Sequence, residues 1–560
     1  MKTITLFIIL LSPLFIYSQT FDEIKKSVSL HRASSADYGF SVSIDGNFAV
    51  VGSRSDKFDV DSLNNMGNAG AAYILGKDEG GTNNWGIMQK IVACDRDPGA
   101  FFGHSVSISG NYVVVGAKQE DHAGCNFNSS KTDAGAVYIY KYDTCTGVFT
   151  FLKKLVASDR TAADHFGWSV DLDGEKLIVG AYTQDKDQNG GNTISNAGAA
   201  YIFYKYQGGT DNWGQVRKVV SSDRGGGDYF GHSVSISGDY AIVGALEEDH
   251  DASGGNTLSS SGSAYLFYID EGGSNNWGQI QKITAFVRNS GDHFGSGVGI
   301  SGDYAIVGAY LEDEDASESS TVNNAGSAYI FKRDTNTVDT WNGLKKIVGI
   351  HRSNSDQFGF TVAISGEKAV VGANFEDSDE NGGSSLTNAG SAFIYCKNNG
   401  GTDNWGLSQK IVASDRSSTD RFSHGIDISG DYIISGAYQH NLDENGGNSI
   451  SDAGAAYIFE YNPSSPLIYY PGTNQVGLTP KIFADDEPVF FPNPVTNDLN
   501  VILPEGRKVK SIRVYDMKGR PLITTNDNFS ISLSLLSAGL YTVTLQTMDG
   551  LHFQKKIVKR

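Results

Sequence analysis

Five stretches of this chain place oxygen-bearing side chains at alternate positions in a loop. Two are complete, Asp185-Lys-Asp187-Gln-Asn189-Gly190 and Asp377-Ser-Asp379-Glu-Asn381-Gly382. Three are variants built on Asp249/Asp251, Asp313/Asp315 and Asn441/Asp443/Asn445. Oxygens at positions 1, 3 and 5 followed by Gly at position 6 open a calcium loop, because alternate residues aim at one point and Gly permits the sharp turn. Ca2+ is therefore the expected ion. Position 12 holds Asn196 and Asn388 where a bidentate Glu belongs, so binding would be weak or completed by backbone carbonyls. The competing reading is a solvated loop closed by an Asn-Gly turn. No catalytic constellation stands out: there is no G-x-S-x-G, H-E-x-x-H or P-loop. His104, His232 and His424 follow a repeated Phe-Gly and read as packing at the start of a strand.

The elements that must carry these loops are written seven times. One Gly recurs at Gly39, Gly103, Gly167, Gly231, Gly295 and Gly359, with Ser423 in the last copy, always 64 residues apart. A second recurs with the same period from Gly52 to Gly436. In the fourth copy, Gly231–Ser237 alternates with period two and Gly238-Asp239 is a tight turn. Tyr240–Ala245, Gly262–Tyr268 and Gln279–Ala285 complete four strands. Four strands repeated seven times, with no helical periodicity, predict an all-β chain forming a seven-bladed β-propeller. Glu23 to Arg32 match the last strand of a repeat in phase, and the seventh copy lacks that strand after Tyr461. The N-terminal strand is thus expected to complete blade 7 and close the ring, with Leu467–Tyr470 as the rival for that place. Strands alternate in direction, so the acidic loops between second and third strands share a face with the blade-to-blade turns. Arg recurs at the 64-residue period from Arg32 to Arg416, followed four residues later by Asp in five copies, Asp164 to Asp420. Each Arg and Asp is expected to clamp a turn between blades. Trp85, Trp213, Trp277, Trp341 and Trp405 share a phase, with Phe149 in the missing slot; packing at or between blades outweighs a ring of sugar-stacking faces.

The chain of 560 residues carries a formal charge of −20. That balance argues against sequence-independent nucleic-acid binding, which needs a basic footprint. It suits an extracellular protein kept monomeric by its charge. Residues 1–18 read as a secretory signal peptide, with Lys2, an apolar core from Ile4 to Ile16, and Ser18 before Gln19. No other segment reads as a membrane-spanning helix. The four cysteines Cys94, Cys125, Cys145 and Cys396 allow three pairings. Cys125 and Cys145 lie in one repeat and are candidates to pair.

Phe230-Gly231, Val243-Gly244-Ala245 and Gly262-Ser263-Ala264-Tyr265 resemble the FG-GAP repeat, the blade unit of the integrin α-subunit propeller and of many bacterial surface proteins. The resemblance covers 21–461. The integrin-type calcium loop lies between the Phe-Gly and Val-Gly-Ala strands, where this chain has only the turn Ser237–Asp239, so that site is not carried over. After a linker over 462–488, residues 489–560 resemble the type A C-terminal sorting domain of the Bacteroidetes type IX secretion system. The motifs are Pro492-Asn493-Pro494, Val514-Tyr515-Asp516 with Gly519-Arg520, Gly539-Leu540-Tyr541 and the basic end Lys555–Arg560. The resemblance implies a small Ig-like β-sandwich read by the type IX machinery, and a protein released or attached at the outer-membrane surface. The leading functional reading is a non-enzymatic adhesin whose propeller loops engage an extracellular glycan or protein. The alternatives are a secreted enzyme acting on glycans and a surface-layer component. The enzyme reading predicts one or two loops that break the repeat with unique catalytic residues; the most irregular, Ser53–Ala69 and Lys118–Ala134, carry no convincing set.

Overall fold

The computed structural model describes residues 20–82, 84–336, 340–462 and, further on, 489–491, 498–502, 509–516, 520–525, 530–537, 539–547 and 552–559. The signal peptide, most of the linker and Leu467–Tyr470 lie outside the described residues. Every regular element described is a β-strand.

Through Asn462 the strands form seven antiparallel four-stranded sheets, each ordered as the chain runs except the last. Blade 4 is representative: inner strand Ser233–Ser237, second Tyr240–Ala245, third Ser263–Tyr268 and outer Gly278–Ile283. In blade 7 the outer place is taken by Thr20–Ser27, paired antiparallel with Ala455–Asn462. The N-terminal strand therefore closes the ring, as its phase in the repeat predicted.

The Ser-Val-Ser-Ile-Ser pattern of the inner strand has a physical reason on each side. Val234 and Ile236 are buried in the interface with the neighbouring blade. The serines lace one blade to the next: Ser233 Oγ donates to the Gly295 carbonyl at 2.8 Å, and Ser235 Oγ accepts the Ile300 N–H at 3.3 Å. Asp171 and Asp427 occupy the Ser235 position in blades 3 and 7. They line an axial cavity of about 220 Å³ together with Ser43, Ser107 and Ser235. Asp427 accepts Ser43 Oγ–H and the Ile44 N–H across the closing joint at 2.8 and 2.9 Å. The strands around it displace water, and this pushes its carboxyl up to about 7, against the pull of those N–H bonds.

The two glycine registers of the sequence meet between blades. A Cβ on Gly244 would stand 2.0 Å from the Gly295 carbonyl oxygen, and at the closing joint a Cβ on Gly436 would stand 1.9 Å from that of Gly39. Ser423, the exception, adopts φ 69° and donates its hydroxyl to the Ser391 carbonyl at 2.7 Å. The phased tryptophans are buried, at most 1% exposed, which excludes them as sugar platforms. They pack between blades: Trp213 on Tyr112 and Trp405 on Tyr304, with ring centroids 5.5 and 5.3 Å apart.

Cys94 pairs with Cys125, not Cys125 with Cys145. Sharing a repeat did not mean sharing an end of the blade. Cys145 sits in the hairpin between third and outer strands of blade 2, whereas Cys94 and Cys125 lie on a blade-to-blade turn and a second-to-third-strand loop, which share a face. Cys145 is free and exposed, and Cys396 is free and buried.

The C-terminal residues form a separate unit of two antiparallel sheets, one of three strands and one of four. Leu499, Ile512, Val514, Leu533, Val543, Leu545 and Ile557 share its core.

Three outcomes are expected. Gly308→Ala, whose Cβ would lie 1.9 Å from the Gly359 oxygen, should cost about 3 kcal/mol in denaturant unfolding. Gly302→Ala, at φ +57° with open space around it, should cost about 1 kcal/mol; equal losses would remove the blade-contact argument. Asp427 titrates in the fold near 7, above its unfolded value, so its stabilisation is present below pH 4 and lost as pH rises through about 7. Asp427→Asn should therefore raise the melting temperature at pH 8 and leave it unchanged at pH 4. Thiol titration of the oxidised native protein should count one reactive group, Cys145, and a second only on unfolding.

Candidate functional site

Each loop between second and third strands is tied at its base by a buried polar knot. In blade 4, Lys282 of the outer strand holds Glu248 of the loop at 2.8 Å and Asp223 of the preceding turn at 2.7 Å. Tyr265 of the third strand donates to Asp223 at 2.8 Å. Blade 2 repeats this with Lys154, Glu120, Asp95 and Tyr138. Blade 7 substitutes His440, with Lys26 and Asp415, so the closing strand also anchors its loop. Charges this buried are tolerated because each finds an opposite charge and a hydrogen bond.

The repeated Arg and Asp divide the clamping expected of them. Arg224 spends its Nη donors on the loop, bonding the Asn192 and Asp185 carbonyls at 2.9 and 2.5 Å. Arg416 does the same to Ser384 and Asp377. Asp228 instead accepts the Gly225 N–H of the turn at 2.5 Å. The Arg thus fastens the acidic loop of its own blade, and the Asp caps the turn to the next.

The calcium-loop residues lie where predicted, on the face shared with those turns, and their carboxylates are engaged by their own loops. Asp185, Asp249, Asp313 and Asp377 accept the N–H of the twelfth residue, Asn196, Ser260, Asn324 and Asn388, at 2.6–2.8 Å. Those twelfth residues have φ between 51° and 53°. Asn stands at position 12 because it tolerates that left-handed conformation. Asp187, Asp251, Asp379 and Asp443 each accept two N–H groups of the loop tip; for Asp187 these are Asn189 and Gly191, at 2.8 and 2.9 Å. Asp315 accepts those of Ser317 and Ser319. Asn381 and Asn445 act here as N–H donors to the third-position Asp. Asp251 and Asp443 also accept a side-chain amide on their second oxygen, from Asn256 and Asn448. The donor set suits Ca2+, which takes oxygen ligands, but only as a partial shell finished by water.

The feature the sequence reading passed over stands at the centre of the same face. The residue after each Phe-Gly projects toward the axis, and six of the seven carry rings: Phe40, His104, Trp168, His232, Phe360 and His424. Ring centroids run 5.1 Å from Phe40 to His104, 4.6 Å on to Trp168 and 5.5 Å to His232. On the other side Phe360 is 5.3 Å from His424, which is 4.4 Å from Phe40. Ser296 interrupts the circle in blade 5. The residue after each second-strand Gly-Ala or Gly-Ser adds Tyr182, Tyr310 and Tyr438, in ring contact with the circle or its flank. Apart from buried His104, these rings are partly buried. Burial holds His232 and His424 down to about 4, so both are neutral aromatic faces at pH 7. Two cations lie on the rings, Arg54 3.6 Å from the Phe40 centroid and Lys118 4.4 Å from Trp168, and a third, Arg421, lies 4.0 Å from Phe375 of the blade 6 loop. The histidines were read as packing; the legible signal was that ring residues follow both glycine registers.

Comparison with solved structures places the chain beside yeast (Saccharomyces cerevisiae) Sqt1, at 8% identity and TM-score 0.39 over 80% of this chain and 99% of that one. A Lactobacillus plantarum protein matches at 13% identity and TM-score 0.41, over 73% and 99%. The Pseudomonas aeruginosa periplasmic gluconolactonase PpgL matches at 12% identity and TM-score 0.39, over 68% and 86%. No curated protein matches the sequence. Residues 489–560 match the model of a secretion system C-terminal sorting domain, so the protein is exported by the type IX route to the cell surface or beyond. Among the described residues no helix is long and apolar enough to cross a membrane. The FG-GAP repeat model matches seven times, over 27–75, 85–140, 149–203, 213–267, 277–331, 341–395 and 405–459. With those seven copies carrying the blades and the loop face, the chain belongs to the FG-GAP repeat family.

Proposed function

We propose that this exported propeller is a non-enzymatic binding protein that engages an extracellular glycan or protein through its loop face and works as a monomer. The observation that carries the reading is the construction of that face. Seven loops are each fastened to their blade, by an Arg to backbone carbonyls and by a buried knot at the base. A rigid scaffold presenting variable loops is how such folds bind partners. Calcium belongs to the proposal at Asp185–Gly190 and Asp377–Gly382, where it would stiffen loops already shaped by their own hydrogen bonds.

Among the described residues, the enzyme reading has a foothold on the irregular loop of blade 2. Asp97, Glu120 and His122 offer ligand or proton-transfer atoms within 4.8 Å of one another. Glu120 is fully buried and committed to Lys154 and Tyr138. That commitment favours a structural role and keeps binding as the main reading.

The test is a screen of the exported protein on glycan and matrix-protein arrays, with calcium and with EGTA. Binding is expected, and weakened by EGTA. A hit that EGTA leaves unchanged would remove calcium and keep the adhesin. Turnover of a glycan, abolished by His122→Ala, would replace the adhesin with an enzyme.

A further inference from the structure

The axial patch mixes cations with the carboxylates of Asp37, Glu247 and Asp133. The whole chain carries −20, yet the centre of the loop face gathers Arg54, Lys118 and Arg421. Among the described residues, Arg54 alone of these three is ion-paired, to Asp37 at 3.0 Å. Lys118 is half-exposed between the faces of Trp168 and Phe101, and Arg421 hydrogen-bonds the neutral Gln439. A low-dielectric aromatic floor strengthens the field of these cations over the axis. The floor consists of partly exposed rings, of which Phe40 and Trp168 already carry Arg54 and Lys118.

We infer that this axial patch binds an acidic polysaccharide, with sugar rings stacked on Trp168 and its neighbours and carboxylates drawn to Lys118 and Arg421. The inference rests on the binding reading above and names the ligand class and the place. The chemistry separates this ligand from its rivals. A neutral sugar would use the rings and leave the cations idle. An acidic peptide would use the cations and leave the ring faces idle. A nucleic acid would meet the strongly negative remainder of the surface. A uronate-bearing chain uses both features: its C–H faces lie on aromatic rings, and its carboxylates suit guanidinium and ammonium groups.

Trp168 supplies the readout, because the five other tryptophans are buried and it is partly exposed. The experiment titrates the full exported protein with polygalacturonate, following intrinsic fluorescence and, in parallel, retention on immobilised polymer. Polyglutamate and dextran serve as the charge-only and sugar-only controls. The expected result is a saturable change in Trp168 emission that weakens with salt. Lys118→Met with Arg421→Met, and separately Trp168→Leu, should each weaken retention about tenfold or more. Both controls should bind at least about tenfold more weakly than the polyuronate. Trp168→Phe, which keeps a ring, should retain binding and lose the fluorescence signal; if the Leu variant does not fold, the Lys118/Arg421 variant and the dextran and polyglutamate controls decide the question. Equal retention of polyglutamate would overturn the inference in favour of charge alone. So would unchanged retention by the Lys118/Arg421 variant, or no binding of polyuronate. A glycan or matrix ligand from the array that these variants still bind would overturn the axial site and leave the loop-face function standing.

Discussion

The rest of the structure depends on how closely one blade can approach the next. The second strand of each blade lies against the start of the following inner strand with no room for a side chain on the second-strand glycine, as the 2.2 Å between a Cβ on Gly116 and the Gly167 oxygen illustrates. That contact brings the inner strands near enough for serine hydroxyls to reach the next backbone. It lets the phased tryptophans fill the wider outer gap. A ring of blades also has no open inter-blade edge, provided the last blade meets the first. The Gly39–Gly436 contact and the strand Thr20–Ser27 meet that condition together.

Close blade packing leaves little freedom at the loop bases, and the chain uses buried charge there. The Lys of each outer strand, the acid or its substitute in the loop and, except in blade 6 where Phe393 stands, the Tyr of the third strand form a unit that would be costly to break singly, since a lone buried charge would remain. The preceding turn contributes Asp95, Asp159, Asp223 and Asp415 to four of these units. Where that Asp is absent, as at Val287, Glu318 of the loop itself reaches Lys346. Blades therefore differ in how their loops are held while keeping one backbone plan. The Cys94–Cys125 bridge adds a covalent tie to the most irregular of them.

Repetition also explains why function gathers on one face. Every blade delivers a long loop, a clamped turn and two axis-facing residues to the same end. A ring of seven copies can vary these positions without disturbing the glycine contacts below. Six of the seven positions after Phe-Gly have acquired rings, and three cations lie in a molecule otherwise strongly acidic. The opposite end keeps short turns such as Ser237–Asp239 between the first and second strands.

Period and alternation are local properties of a chain, so the sequence alone determined the seven blades, the closing strand, the sorting domain and the face on which the acidic loops lie. The knots were half legible: the recurring Lys was visible, but its partners lie 59 residues away at Asp95 or Asp223, a separation without local signature. Three matters were decided only in three dimensions. The disulfide followed which end of a blade each Cys occupies, not which repeat. The loop carboxylates found N–H groups of their own loops, because a left-handed twelfth residue turns its N–H inward. The aromatic circle joins residues 64 apart in sequence that come within a few ångströms only when seven inner strands surround one axis. Each copy, read singly, shows one ring at the start of a strand, and packing is the sound reading of one ring. The closure of the ring makes them a surface.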